Sequence, residues 1–230
     1  GAALESKLTP LMGGFDQLSF AKTVMGWLDD EDANEKNLDL ATRYAGWALH
    51  TDAGKARHGT DILFRVPEKM DFQHLVEADT VHDPDHGIDF LCLDPAKQHP
   101  RDGFALTDQG CDLTGALDQA NYCVICHDRG KDSCSKGIRD KQSAAFTSNE
   151  LGVPLAGCPL EEKISEFHQA KIDGHAVAAL AIIAIDNPLA AGTGHRICND
   201  CMKSCIYQKQ EPVDIPQAET RTLKDVLELP

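Results

Sequence analysis

Seven of the chain's nine cysteines lie in its second half, and their spacing constrains the fold more than any other sequence feature. They form two Cys-x2-Cys pairs, each followed by a further cysteine, with one Cys-Pro dipeptide between the two sets. Convergent thiolates bind soft metals, and this number exceeds what a single tetrahedral zinc ion uses. The residues are Cys123, Cys126, Cys134, Cys158, Cys198, Cys201 and Cys205.

The pattern favours iron–sulfur clusters, because these need several convergent thiolates and short loops whose backbone N–H groups donate to sulfur. Three other uses of the cysteines stay open. A structural zinc module also uses Cys-x2-Cys pairs, and disulfides would suit an exported chain. The segment Cys123-Val124-Ile125-Cys126-His127 matches the attachment motif of c-type haem, although haem would leave the cysteines downstream unexplained.

The composition is that of a folded chain with an acidic surface. The chain has 230 residues, of which 42% are hydrophobic and 26% charged. It is therefore long enough and apolar enough to bury a hydrophobic core, and general disorder is excluded. The formal charge of −15 argues against nucleic acid as a partner, because phosphate binding needs a basic face.

The longest apolar run, residues 176–185, is far shorter than the roughly 20 residues of a membrane span. Because the first residues show no secretory signal, we expect a cytoplasmic location.

Charge and cysteine content divide the chain into two parts. The first 120 residues hold 10 Lys and Arg against 22 Asp and Glu, a net charge of −12, and the remainder holds 12 against 15, a net charge of −3. The first part contains only Cys92 and Cys111, neither of which is expected to be a ligand; Cys92 is expected to be a small buried hydrophobe. We therefore expect an acidic α+β region of unknown role over residues 1–119 and a cysteine-built domain over residues 120–230.

Hydrophobic periodicity predicts the elements of the first part. Apolar residues at helical spacing indicate amphipathic helices over residues 15–28 and 34–50. Alternating side chains predict a short strand from Ile62 to Val66, and an apolar run predicts another over residues 90–93. From His82 to Gly103 the chain is rich in Asp, Pro and Gly, which is typical of loop.

The second part is predicted to be mainly helical. A helix is expected over residues 161–171, and residues 175–185 should form a buried helix because they are apolar on nearly every side. Residues 135–157 have weak periodicity and indicate a long loop or insertion. A last helix is expected over residues 217–227, with Leu223, Val226 and Leu227 facing inward.

Four segments of the second part resemble a known family. They are CVICHDRGKDSC, GCPLEEKISEFH, HRICNDCMKSC and PVDIPQAETR, in this order along the chain. Together they resemble the N-terminal two-cluster domain of the glutamate synthase small (β) subunit. Dihydropyrimidine dehydrogenase and the large subunit of the electron-bifurcating NADH-dependent ferredoxin:NADP oxidoreductase share this domain. The resemblance covers about residues 120–230 and implies a helical, ferredoxin-like domain with two four-iron, four-sulfur (4Fe–4S) clusters.

The resemblance also implies the ligands of the two clusters. At matching positions, the first cluster would be held by Cys123, Cys126, Cys134 and Cys205. The second would be held by three cysteines and a carboxylate, namely Cys158, Cys198, Cys201 and Glu219.

Two features depart from the family pattern. An insertion of 23 residues separates Cys134 from Cys158, whereas relatives keep their first four cysteines compact. No Gly-x-Gly-x-x-Gly turn of a flavin-binding domain is recognisable, so FAD and NAD(P)H would belong to a domain or subunit outside this chain.

The expectation is an electron-transfer domain without a catalytic site of its own. It would relay electrons to or from a flavoprotein of a glutamate synthase-like, NAD(P)H-dependent oxidoreductase, and the rival interpretation is a zinc-binding docking module.

Overall fold

The computed structural model describes residues 1–59, 61–64, 66–75, 78–93, 98, 101–106 and 108–230, without the side chain of Arg196. The protein is mainly α, as predicted, and its described residues include one two-stranded sheet. The N-terminal helices are α1 (Ala2–Met12), α2 (Gln17–Leu28), α3 (Glu31–His50) and α4 (Asp52–Arg57), followed by the strands β1 (Ala78–Asp83) and β2 (Ile88–Leu93). The later helices are α5 (Leu113–Tyr122), α6 (Ser133–Lys136), α7 (Ile164–Ile172), α8 (Ala176–Asp186), α9 (Ala190–Ile197), α10 (Asp200–Lys203) and α11 (Ile215–Leu227), with a 3₁₀ turn at Cys126–Arg129.

The two amphipathic helices predicted for the N-terminal region are confirmed as α2 and α3. Each begins after an aspartate, Asp16 or Asp30, whose carboxylate accepts hydrogen bonds from N–H groups of the first turn. Helix α1 is not among the predicted elements. Its apolar residues Leu4, Leu8 and Met12 recur at helical spacing and pack on the N-terminal core, although Pro10 lies inside the helix. These helices enclose an aromatic core centred on the fully buried Tyr44.

The predicted strand from Ile62 to Val66 is wrong. Its described residues form a turn after α4, and Arg65 lies outside the described residues. The N–H of Leu63 donates to the side-chain oxygen of Gln17 at 2.8 Å instead of to a neighbouring strand. Phe64 turns into the aromatic core and is 5% exposed. The alternation of apolar residues thus reflects one anchoring side chain in a turn.

Strands β1 and β2 form an antiparallel hairpin in which Val81 pairs with Phe90. The predicted strand over residues 90–93 is confirmed within β2. The predicted loop from His82 to Gly103 is partly wrong, because its first two residues belong to β1; residues 94–97, 99 and 100 of it lie outside the described residues. Most of the hairpin is exposed, so Cys92 is partly exposed and not buried as predicted.

A second core lies between the helices of the C-terminal region and contains several cysteines. The helices predicted over residues 161–171 and 217–227 are confirmed as α7 and α11, and the irregular character predicted for residues 135–157 is confirmed apart from the short α6. On α11 the expected inward face is partly wrong. Leu227 is 74% exposed because the helix ends there, whereas Ala218 and Thr222 are fully buried.

Helix α8 is not the buried helix that its sequence predicts. Its buried residues are Ala179 and Ile183, whereas Val177 and Ile185 are 60% and 74% exposed. The helix packs on α7 and α11 through one face and leaves the other uncovered. None of the helices that the structure describes is both long and apolar enough to span a bilayer.

Helix α5 joins the two regions, since it contacts α2 on one side and α7 and α11 on the other. The buried carboxylate of Asp118 on α5 accepts a hydrogen bond from the side-chain amide of Gln17 on α2. The predicted domain boundary at residue 120 falls inside α5. The division into two domains stays a prediction.

Asp118 makes this junction sensitive to pH. Burial, and then the negative charges of Asp61, Asp16 and Asp112, raise its pKa from 3.8 to about 6, and its Oδ1 has no hydrogen-bond partner among the described residues. Because the folded pKa is the higher one, ionisation destabilises the fold as pH rises from about 4 to about 6, and the loss is complete above that range. Asp118→Asn can still accept the Gln17 N–H. It is expected to raise the free energy of unfolding by about 1 kcal/mol at pH 7 and by much less at pH 4.

Urea unfolding of the wild type and of Asp118→Asn at both pH values measures this difference. An equal effect of the substitution at the two pH values would show that the charge of Asp118 is not its cause.

Candidate metal centre

The first group of predicted ligands, Cys123, Cys126, Cys134 and Cys205, converges beside the end of α5. Cys123 directly follows α5, Cys126 begins the 3₁₀ turn and Cys134 lies in α6. Cys205 reaches the same place from much later in the chain, just after α10. All four cysteines line one small cavity, which Val213 helps to close. The structure therefore brings the predicted first set together.

Burial makes three thiols of this first group poor acids. It raises the pKa of Cys123 to about 11, and it also raises the pKa values of Cys134 and Cys205. Beyond burial, the pKa of Cys134 is raised further by its neighbours Cys126, Cys205 and Cys123. A bound cation reverses this balance, because it stabilises thiolates that otherwise repel one another. The chemistry of these four donors therefore fits a soft metal centre.

The second group consists of Cys158, Cys198 and Cys201. Cys198 follows α9, Cys201 lies in α10, and Cys158 ends the insertion. The pKa of the buried Cys201 is raised by burial first and then by Cys158, Cys134 and Cys198. Because Cys134 belongs to the first group, the two groups adjoin. Cys158 and Cys198 are partly exposed, so the second group lies nearer the surface.

Backbone N–H groups face the sulfurs of both groups. The N–H of Ile125 lowers the pKa of Cys123, and those of Glu162 and Leu160 lower the pKa of Cys158, in both cases against the larger effect of burial. The N–H groups that face Cys205 come from Tyr207, Val213 and Ile206. These donors stabilise negative charge on sulfur, as expected of loops around an iron–sulfur cluster.

Backbone strain is concentrated at the same loops. Ile125, Asp132 and Glu161 have positive φ values of 44°, 48° and 49°. Each lies within three residues of a cysteine of the two groups. A β-branched residue such as Ile125 is rare in this region, which is unfavourable by roughly 1–2 kcal/mol for a residue with a Cβ. Strain of this kind persists where the surrounding structure imposes it, and it clusters at functional sites.

The insertion between Cys134 and Cys158 leaves the domain and returns to it at one point. The backbones of Gly137 and Gly157 approach each other closely there, so that a Cβ on Gly157 would be 2.4 Å from the Gly137 nitrogen. Beside this crossing, the N–H of Cys158 donates to the carbonyl of Cys134 at 2.8 Å. The additional residues therefore lengthen the chain without separating the cysteines at their two ends.

Glu219, the predicted carboxylate ligand, is buried on α11. The amide Nδ2 of Asn187 donates to its Oε1 at 2.9 Å. Burial and then the carboxylate of Glu162 raise the pKa of Glu219 to about 7. Glu162 is also buried. The pKa of Cys158 is raised mainly by the burial of its own thiol, and the negative charge of Glu162 raises it further. Glu219 is therefore linked to the second cysteine group through Glu162, a residue that sequence reasoning did not single out.

The two groups are not arranged around a single ion. No three His, Cys, Asp or Glu side chains in the part of the chain that the structure describes lie close enough to hold one metal ion.

Comparisons with known proteins give similarities to two proteins of Rickettsia prowazekii (strain Madrid E). The chain is 30% identical over 179 residues to the uncharacterized protein RP005, in a match that covers 72% of this chain and 57% of that protein. It is 62% identical over 42 residues to the uncharacterized protein RP006, in a match that covers 18% of this chain and 6% of that protein. No family model matches the chain. The chain is thus similar to parts of two longer proteins whose functions are not described.

Proposed function

We propose that the chain is an electron-transfer domain that holds two 4Fe–4S clusters. The observation that carries this proposal is the gathering of seven cysteines into two adjoining groups of buried and half-buried thiols. When bound, such clusters accept and release single electrons. The proposed ligands of the first cluster are Cys123, Cys126, Cys134 and Cys205, and those of the second are Cys158, Cys198, Cys201 and Glu219.

The residues of the chain bind the clusters and set how easily they are reduced. Backbone N–H groups that face Cys123, Cys158 and Cys205 stabilise negative charge on the sulfurs, which favours reduction. The burial of Cys126 and Cys134 keeps water away from the first cluster. A carboxylate in place of a fourth thiolate gives the second cluster a different ligand field, so the two potentials need not be equal.

The proposed partner is a flavoprotein domain or subunit that carries FAD and uses NAD(P)H, within a cytoplasmic oxidoreductase of the glutamate synthase kind. The support for this partner is the sequence resemblance described above. The match to RP006 covers only 6% of that protein, which leaves ample length there for further domains. Thiolate ligands add negative charge to an already acidic chain, so the partner's docking surface is proposed to be basic.

Purification without oxygen tests the proposal. We expect a coloured protein with broad absorption at about 400 nm and about eight irons per chain. Cys92→Ser is the matched control, because Cys92 lies in the β1–β2 hairpin and belongs to neither group; its iron content should equal that of the wild type. A colourless protein with stoichiometric zinc would instead identify a zinc-binding docking module.

A further inference from the structure

Glu219 is held in place by a residue from another helix. Asn187 follows α8, is 5% exposed and donates from Nδ2 to Oε1 of Glu219 at 2.9 Å. The same amide nitrogen is 3.0 Å from Oγ1 of Thr193 in α9, so the amide has a fixed orientation. The hydrogen bond occupies one carboxylate oxygen of Glu219 and leaves Oε2 out of this contact.

The packing of α11 on α9 brings the turn that carries Glu219 against the helix that precedes Cys198. Thr220, which follows Glu219, accepts a hydrogen bond from the N–H of His195 at 3.1 Å. A Cβ on Gly194 would lie 2.3 Å from Oγ1 of Thr220, so the two helices approach closely only because residue 194 is glycine. Helix α9 ends directly before Cys198, a proposed ligand of the second cluster. Glu219 therefore lies on the turn of α11 that faces this ligand's helix.

Two buried carboxylates compete for this position. Glu162 is 5% exposed and Glu219 is 8% exposed, and the charge of Glu162 raises the pKa of Glu219. The side-chain amide of Asn187 interacts with both carboxylates: its hydrogen bonding lowers the pKa of Glu162 against the larger effect of burial, and its Nδ2 donates to Oε1 of Glu219 at 2.9 Å. A hydrogen bond from a fixed partner orients a ligand, and the loss of such a partner typically weakens metal binding 10–100-fold. The 2.9 Å contact holds Oε1 of Glu219, which is the carboxylate at the ligand position that the family resemblance implies.

We propose that Asn187 is a positioning residue that holds Oε1 of Glu219 and so presents Oε2 to the second cluster. This inference rests on the proposed function, and it adds a role for a residue outside the ligand set.

The test compares Asn187→Leu, Glu219→Ala and the double variant, all purified without oxygen. Asn187→Leu is expected to release the iron of the second cluster to a chelator about 10-fold faster and to alter that cluster's electron paramagnetic resonance spectrum after reduction. If Asn187 acts through Glu219, Asn187→Leu adds no further change in the Glu219→Ala background. The spectrum of the first cluster should stay unchanged, which verifies that the variants fold. Asn187→Gln, which displaces the amide by one methylene, provides a second variant with the same expected direction.

Asn37→Leu is the matched control, because it makes the same substitution at a half-buried amide of α3, away from both cysteine groups. It should release iron at the wild-type rate. An unchanged spectrum in both Asn187 variants would overturn the inference, as would equal effects of Asn187→Leu in the two backgrounds. A change with Glu162→Ala but not with Glu219→Ala would also overturn it. A wild type without iron would refute the proposed function itself, whereas two clusters with an unresponsive Asn187 would refute only this inference.

Discussion

Gly157→Ala is expected to lower the free energy of unfolding by about 3 kcal/mol and to prevent the assembly of both clusters. The new methyl group would lie 2.4 Å from the Gly137 nitrogen and 2.5 Å from the Ser135 carbonyl oxygen, and neither backbone atom can rotate away. The φ of +80° adds strain for any residue with a Cβ. Because Cys158 follows directly and bonds to the carbonyl of Cys134, the displacement moves a ligand of each group.

Gly152→Ala separates the collision from the backbone strain. Gly152 lies in the same insertion with a φ of +76°, and no described atom outside its immediate neighbours is within 4 Å of its Cβ position. Its replacement is expected to lower the free energy of unfolding by about 1 kcal/mol and to leave the iron content unchanged. Urea unfolding and iron analysis of the two variants measure the difference. Equal losses would show that the crossing with Gly137 does not hold the two groups together.

Cys205→Ser is expected to remove the first cluster and to leave the second in place. Cys205 is close in sequence to Cys201 of the second group, but in the fold it lies beside Cys126 of the first. The variant should retain about four of about eight irons, with the spectrum of the second cluster intact. Cys198→Ser should give the opposite result. Iron analysis together with paramagnetic resonance of the reduced proteins distinguishes the two outcomes.

Cys134 provides the most demanding test of this pairing, because its thiol is a neighbour of Cys201 as well as of Cys123. Cys134→Ser and Cys123→Ser are expected to abolish the same paramagnetic signal. Loss of the second cluster's signal in Cys134→Ser would contradict the assignment of Cys134 to the first cluster. Cys92→Ser, outside both groups, controls for the general effect of removing a thiol.

The sequence predicts helices well where apolar residues at helical spacing pack on a core, as in α3 and α7, and it identifies α2 although Met25 and Leu28 of that helix are exposed. The prediction fails where apolar residues lie in a turn or remain exposed on the surface. The alternation around Phe64 predicts a strand, but Phe64 lies in a turn and packs in the aromatic core. The apolar run of α8 predicts that Val177 and Ile185 are buried, but both side chains are exposed. Hydrophobic pattern identifies apolar side chains, but it does not identify the surfaces that cover them.

The membership of the two cysteine groups follows from spacing and resemblance, but their closeness does not. Contact between Cys134 and Cys158 depends on two distant glycines that meet only after folding. Glu162 gives no sequence signal, because an acidic residue just before a helix is commonplace. Asn187 precedes a proline and therefore reads only as the end of a helix. Roles that depend on pairs of residues from different helices are not visible in a single sequence.

The crossing of Gly137 and Gly157 makes residues 138–156 a closed side branch of the chain. Since the ends of this branch already touch, its length has little influence on the rest of the fold, and the entropy of closing it grows only slowly with added residues. Evolution can therefore lengthen, shorten or replace the branch while the cysteines at its ends keep their positions. New binding surfaces can be acquired here independently of the metal centre.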